Sequence, residues 1–457
     1  MTLLAIEWGV VGIKVAQLLL SLSILVILHE FGHYITARWF GCRVERFFLF
    51  FDPWFSLFKK KVGETVYGIG WLPLGGYVKI SGMIDESMDK EQLALPAQPW
   101  EFRSKPAWQR LIIMIGGVTV NIILAFVIYG GILMVWGERV VPNQSVKYGI
   151  AIQDSVMYDL GFRDGDKILA ANHEPINDFG EVTLKVLLSE TVTIERDGKV
   201  QEMALPVNLI GELVEKRRGN ATLLTPRMPV KVAEISDTMA GAKAGLKVDD
   251  QIVSVNGKTT FFYDELKREL QANKGDSVVL GVKRNGTDVV LNAKLDNDGR
   301  LGFFPYSGID EWQKMGVLNY SVKKYSLFEA IPGGVSLAIK KLNDYIGQFK
   351  KILSPETGAY KGVGGFKSMG NIFPAKWDWE AFWTITAFFS IILAFMNLLP
   401  IPALDGGHVL FTLVEMITGR KPNQKFLEYA QVAGMIILLG LMLYANANDW
   451  LGWGRGK

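Results

Sequence analysis

The sequence predicts a polytopic α-helical membrane protein with four transmembrane helices and a large folded insertion between the second and third. Three observations carry that prediction: four long apolar windows, two similar segments inside the insertion, and a His-Glu-His cluster within the first window. The chain of 457 residues is 49% hydrophobic, more apolar than a soluble domain of this size. A net charge of +3 gives no case for nucleic-acid binding. The single cysteine, Cys42, excludes an intramolecular disulfide and a Cys-rich zinc module, so any metal must be held by His and carboxylate.

A hydrocarbon core about 30 Å thick is crossed by about 20 apolar residues. Windows of that length run from Leu111 to Trp136, from Ala381 to Leu404 and from Tyr429 to Asn448. The first window, Val15 to Phe40, is interrupted only by His29, Glu30, His33 and Arg38. It lacks a small-residue cleavage site and continues through the histidines into "YITARWF", so it reads as a retained span and not a signal peptide. Basic residues resist translocation. The segment between spans one and two carries Arg38, Arg43, Arg46, Lys59, Lys60, Lys61, Arg103, Lys105 and Arg110, and the loop before span four carries Arg420, Lys421 and Lys425. Both loops should be cytoplasmic. The termini and residues 137–380 then lie outside, which is the periplasm in a bacterium with an outer membrane.

The stretch "HEFGH" at 29–33 raises the chemical question. Residues four apart share a helix face, so His29 and His33 can aim both imidazoles at one ion with Glu30 beside it. Two nitrogens leave room for a third ligand and a water, which suits zinc, and zinc lowers the pKa of bound water to about 7. Glu30 would take the proton as general base. An ionisable residue at a helix centre costs about 2.5 to 3.5 kcal/mol on the insertion scale, so three of them together point to function. The third ligand should be a carboxylate or His at similar depth. Span three ends "MNLLPIPALDGGHVL", where two prolines interrupt the helix before Asp405. Irregular backbone at that depth is tolerated only when buried in protein or lining a wet cavity. Spans one and three both run inward, so His29, His33 and Asp405 share a level near the cytoplasmic face. His408 and Glu415 are the competing ligands, the first better suited to support or to starting a helix, the second closer to the basic loop.

In the insertion, "GFRDGDKILAANHEPI" begins at Gly161 and "GLKVDDQIVSVNGKTT" at Gly245. Each is a turn, an acidic residue and a strand ending at Asn, followed by a second strand with a charged-Gly turn, "TVTIERDGKV" or "VVLGVKRNGT". A period this long means tandem domains, not a solenoid. The pattern resembles bacterial, circularly permuted PDZ domains, which bind peptides or C-termini by strand addition. The second copy matches better, through Ala244, Gly245, Leu246, Asp250, Ile252, Val255, Asn256 and Gly257; copy one has His173 in place of that last glycine. His173 is read as a solvated turn residue with no metal role. Steric spacing is the plain alternative to peptide binding.

Together, "HEFGH" and "NLLPIPALDGG" resemble the site-2 protease family of intramembrane zinc metalloproteases, over nearly the whole chain. The resemblance implies Zn2+ ligation by His29, His33 and Asp405, and Glu30 as catalytic base. It implies cleavage of single-span membrane proteins, anti-sigma factors already trimmed outside among them, and of remnant signal peptides. It further implies substrate contacts by Asn397 and by Asn121 in "GGVTVN", and a membrane-reentrant β-hairpin in "YGIGWLPLGGYVKISGM", where Gly75 and Gly76 allow close backbone approach. Where the family has a Ser-Gly-Pro element before span three, this chain has "GVGGFKSMG". Upstream of it, "SLFEAIPGGVSLAIKKLNDYIGQFKKIL" reads as one or two amphipathic helices on the membrane surface, a gate or a tether. The expected organisation is a membrane core over 1–136, PDZ-like domains over 137–224 and 225–310, the amphipathic segment and linker over 311–380, and a second half of the core over 381–457. A different class, a membrane-bound PDZ scaffold with a non-catalytic metal site, has no use for Glu30.

Overall fold

A computed structural model describes residues 8–73, 75–83, 96–216 and 222–452. Among them, four helices are long and apolar enough to cross a membrane: Trp8–Trp39, Ala107–Val135, Trp379–Leu398 and Lys425–Leu451. The second span is the hub, packed against the first and third. Backbone contact between spans one and two depends on glycine, because a Cβ on Gly32 would lie 2.4 Å from the Gly116 carbonyl oxygen. Small residues that let backbones meet are the usual basis of helix pairing in lipid. Polar side chains add to it: the Thr386 hydroxyl donates to Ser21 Oγ and that of Ser390 to the Asn121 carbonyl.

Between spans one and two lies a mixed four-stranded sheet of β1 (Val44–Leu49), β2 (Phe51–Val62), β3 (Thr65–Leu72) and β4 (Tyr77–Ile80), in the order β2-β3-β1-β4. This corrects the expected hairpin. The residues from Tyr67 onward supply β3 and β4, but these do not pair with each other; β1 lies between them, parallel to β3 and antiparallel to β4. Local alternation could not reveal that the central strand comes from upstream. Among the described residues, strand β4 is an edge of the sheet.

The insertion folds as two units of like topology. The strands Lys167–Ala171, Glu174–Pro175, Thr191–Arg196 and Lys199–Ala204 form one sheet, and Gln251–Val255, Lys258–Thr259, Ser277–Arg284 and Thr287–Lys294 repeat its order. The strand Leu224–Pro226 pairs with Ile150–Ile152, so the first unit runs through Pro226 instead of ending at 224. Each unit has its own apolar core.

A buried ion pair explains the repeated letters. Arg284 grips both carboxylate oxygens of Asp250 at 2.8 Å and also donates to the Gly245 carbonyl, while the Lys247 amide donates to Asp250. Arg196, Asp166, Gly161 and the Arg163 amide make the same four bonds in the first unit. Bidentate geometry makes such pairs strong.

The segment 327–353 is a single helix, Leu327–Leu353, opened by a Ser326–Glu329 capping box. It is docked, not merely resting on a surface: a Cβ on Gly334 would lie 2.5 Å from the Gly130 amide of span two, and Lys340 pairs with Glu181 of the first unit. The "GVGGFKSMG" loop is pinned by the C-terminal end of span four. Asn448 donates to the Lys361 and Val363 carbonyls, and the Asp449 carboxylate accepts the Gly365 and Ser368 amides.

Burial alone would raise the Asp250 pKa, but Arg284 and the Lys247 amide outweigh it and hold the carboxyl below its ordinary value. A depressed folded-state pKa stabilises above the unfolded value near 4 and is lost as pH falls through the folded one. Asp250→Asn should therefore destabilise the second unit at pH 7, because the neutral amide cannot replace the charge-assisted bonds that the carboxylate accepts from Arg284 and the Lys247 amide. The deficit should shrink as pH drops below 4. Chemical denaturation across pH, followed by a probe in that unit, checks both.

Candidate metal centre

Span one turns His29 and His33 toward span two, where both are nearly buried. Room for the rings comes from Gly117, since a Cβ there would lie 2.5 Å from His33 Nε2 and 2.7 Å from His29 Cε1. The third component arrives from a broken helix. Span three stops at Leu398, the chain turns through Pro400 and Pro402, and a new helix, Asp405–Thr418, starts with the carboxylate in its first turn. Gly406 and Gly407 let that turn fold tightly, because Cβ atoms there would lie 2.2 Å from the Leu399 oxygen and 2.7 Å from the Ile401 oxygen.

Asp405 Oδ2 lies 3.2 Å from His29 Nε2 and 3.3 Å from His33 Nε2, and the two nitrogens are 3.4 Å apart. A tetrahedral ion with bonds of about 2.0 to 2.1 Å has ligand atoms roughly 3.3 to 3.4 Å apart. The three atoms thus stand like the corners of one face of such a tetrahedron. Asp405 Oδ2 is buried and, among the described residues, has no hydrogen-bond donor. A desolvated carboxylate oxygen facing two imidazole nitrogens fits a cation. Nitrogen and oxygen donors in that number suit zinc.

The far ring nitrogens set the tautomers. His33 Nδ1–H donates to the Ile113 carbonyl at 2.9 Å, which leaves Nε2 as a lone pair. His29 Nδ1 lies 3.0 Å from the Asn121 amide, while the Asn121 oxygen is buried without a partner. A half-turn of the amide satisfies both, with Oδ1 accepting from His29 Nδ1–H and Nε2 left free.

Among the other residues expected at the site, Asn397 stands 3.3 Å from His29 Nε2, on the ligand side of the ring. Asn121 is fully buried behind His29 and does not line the cavity, which corrects its placement as a substrate contact. Gly76 lines the cavity and lets β4 pass span one, since a Cβ there would lie 2.7 Å from Val26 Cγ1 and 3.4 Å from Glu30 Cγ. Gly75 has a φ of 138° and lies against Phe51. Glu415 is bonded to Arg110 at 2.5 Å, away from the trio. His408 lines the cavity but does not belong to the cluster of His29, His33 and Asp405. His173 is an exposed turn residue with a φ of 66°. Sequence reasoning missed Gly116 and Gly117; "GG" four and five residues before Asn121 in an apolar window was their signal.

The trio opens on a cavity of about 720 Å³ that Glu30 also lines, and whose wall includes the whole of β4. Glu30 and Val78 of β4 line this cavity together, with the carboxylate between the strand edge and the histidines.

Asn121→Leu should weaken zinc binding about 10- to 100-fold, the usual cost of losing a partner behind a ligand. Asn121→Asp, which still accepts from Nδ1–H, should retain wild-type affinity. Competition with a chromophoric chelator measures both, and wild-type affinity in the Leu variant would refute the tautomer assignment.

The profile of Peptidase family M50 matches residues 17–441. Relatives align end to end. The regulator of sigma-E protease RseP of Escherichia coli is 27% identical, covering 95% of this chain and 98% of its own. A Vibrio cholerae protein named "Putative zinc metalloprotease" is 28% identical over 94% of this chain and 97% of its own. Protease RseP of Yersinia pestis is 26% identical, covering 96% and 98%. With four apolar helices and a zinc-type donor set between them, the chain belongs to peptidase family M50, the site-2 proteases, and is a zinc-dependent membrane protease.

Proposed function

We propose that this protease cleaves the transmembrane segments of single-span membrane proteins, anti-sigma factors after outer trimming and remnant signal peptides, in a bacterial inner membrane. The observation that carries the reading is the edge of β4, unpaired among the described residues, running along the cavity that contains Glu30 and the His29–His33–Asp405 trio. A transmembrane helix hides its carbonyls in its own hydrogen bonds, so it must unwind before an amide is attacked. An open strand edge offers replacement main-chain bonds and holds the segment extended.

When bound, zinc supplies a Lewis acid for the scissile carbonyl and an acidified water. His29, His33 and Asp405 would hold it; Asn121 and the Ile113 carbonyl keep both rings in the liganding tautomer. Glu30 takes the proton of the attacking water and returns it to the departing amide nitrogen. Asn397, beside the same ring face, donates its amide to the oxygen of the scissile group. Gly76 and Gly75 let the substrate strand and β4 approach the catalytic carboxylate without side chains between.

In this reading both termini and the insertion are periplasmic, and the active site lies toward the cytoplasmic side. The sheet is reentrant: Trp54, Phe55, Leu57 and Phe58 of β2 project outward, followed by Lys59, Lys60 and Lys61, which suits an aromatic belt above an anionic interface. The two outer units act as PDZ-like domains. The second has a groove beside the helix Tyr263–Ala272 and the strand Phe303–Pro305, suited to a peptide or C-terminus.

The test is cleavage of a reporter with a short outer tail and one transmembrane helix. Glu30→Gln should keep its zinc and lose about 10²- to 10⁴-fold in rate. Asp405→Ala should lose the metal, read by elemental analysis. A Gln variant that still cuts at the wild-type rate would remove Glu30 from the mechanism.

A further inference from the structure

Ala403, two residues before Asp405, has a φ of 81°, a conformation that favours glycine and that a residue with a Cβ adopts only under constraint. The constraint comes from span four. The Ala403 amide donates to Gln431 Oε1 at 3.1 Å, and Gln431 is buried, with its side chain at the wall of the catalytic cavity. One helical turn on, span four meets the same loop through backbone: a Cβ on Gly434 would lie 1.6 Å from the Pro402 carbonyl oxygen. These contacts stand out because span four is otherwise sparsely packed. Only 11% of its span-length window is buried, against 39% for each of spans two and three. A helix so little embedded still places a polar acceptor and a glycine on the loop that presents Asp405.

We propose that Gln431 is a positioning residue: its side-chain oxygen holds Ala403 in the left-handed conformation and so keeps the Asp405 carboxylate aimed at the His29 and His33 nitrogens. Gly434 makes the approach sterically available. The role rests on the reading of His29, His33 and Asp405 as the metal ligands. It also makes the metal site responsive to span four: displacing that helix removes the acceptor, and the strained residue relaxes with Asp405 attached.

The test uses the full-length protein in detergent and reads zinc affinity by chelator competition, independently of cleavage. Gln431→Met keeps side-chain bulk without the acceptor and should weaken zinc binding about 10- to 100-fold. Glycine adopts the required φ freely, so adding Ala403→Gly to Gln431→Met should restore wild-type affinity, and Ala403→Gly alone should leave it unchanged. Should Gln431→Met not fold, Gln431→Asn, one methylene too short to reach Ala403, replaces it with the same expectation. Unchanged zinc affinity in the Gln431 variant, or a loss that Ala403→Gly does not restore, would overturn the proposal. Failure of the wild type itself to hold zinc would instead overturn the ligand assignment beneath it.

Discussion

Two imidazole nitrogens and a carboxylate oxygen meet at separations of 3.2 to 3.4 Å between membrane-spanning helices, and the rest of the membrane core follows from that meeting. Such a cluster is costly in a low-dielectric interior unless a cation occupies its focus. The surrounding features each solve part of the problem of bringing it together. Glycines at 32, 116 and 117 thin the seam between spans one and two so that the rings fit. The Ile113 carbonyl and the Asn121 amide consume the ring nitrogens that do not face Asp405. The proline break after Leu398 frees backbone from the helical path so that Asp405 can enter from a third direction.

The fourth span is packed more sparsely than the other three. Spans one, two and three share buried polar bonds and close backbone contacts. Span four is attached chiefly at two places, the "GVGGFKSMG" loop through Asn448 and Asp449 and the Asp405 loop through Gln431 and Gly434. The stretch just before the "GVGGFKSMG" loop in turn packs against the first unit of the insertion, where Gly211 lies close to Gly358 and Glu215 pairs with Lys361. A continuous series of contacts therefore joins the first unit of the insertion, span four and the loop that carries Asp405. Contiguity of this kind is the physical substrate through which two sites can bias one another.

Much of this was legible in the letters. The four spans, the clustering of His29, His33 and Asp405 and the tandem repeat are local patterns: hydropathy over a window, two histidines four apart, an acidic residue after a proline break, a turn repeated at matching positions. The duplicated Asp–Arg pair was visible as Asp166 and Asp250 with Arg196 and Arg284, though not as a pair, because each Asp and its Arg are joined only by a fold that brings distant strands together. The strand order of the membrane sheet was not legible for the same reason: β1 and β3 are parallel neighbours separated by the whole of β2. Asn121 was noticed, but its partner lies on another helix and its burial reversed the role expected of it. Gln431 carried no signal at all. A glutamine in an apolar window is noticed only when the backbone amide it serves, that of Ala403, is seen opposite.

The central claim is that His29, His33 and Asp405 ligate one zinc ion inside the membrane core. X-ray absorption at the zinc edge of the purified full-length protein tests it most directly. The account predicts nitrogen and oxygen scatterers at about 2.0 to 2.1 Å with the multiple-scattering signature of two imidazoles, and no sulfur shell near about 2.3 Å. A sulfur ligand, or an imidazole count other than two, would contradict it.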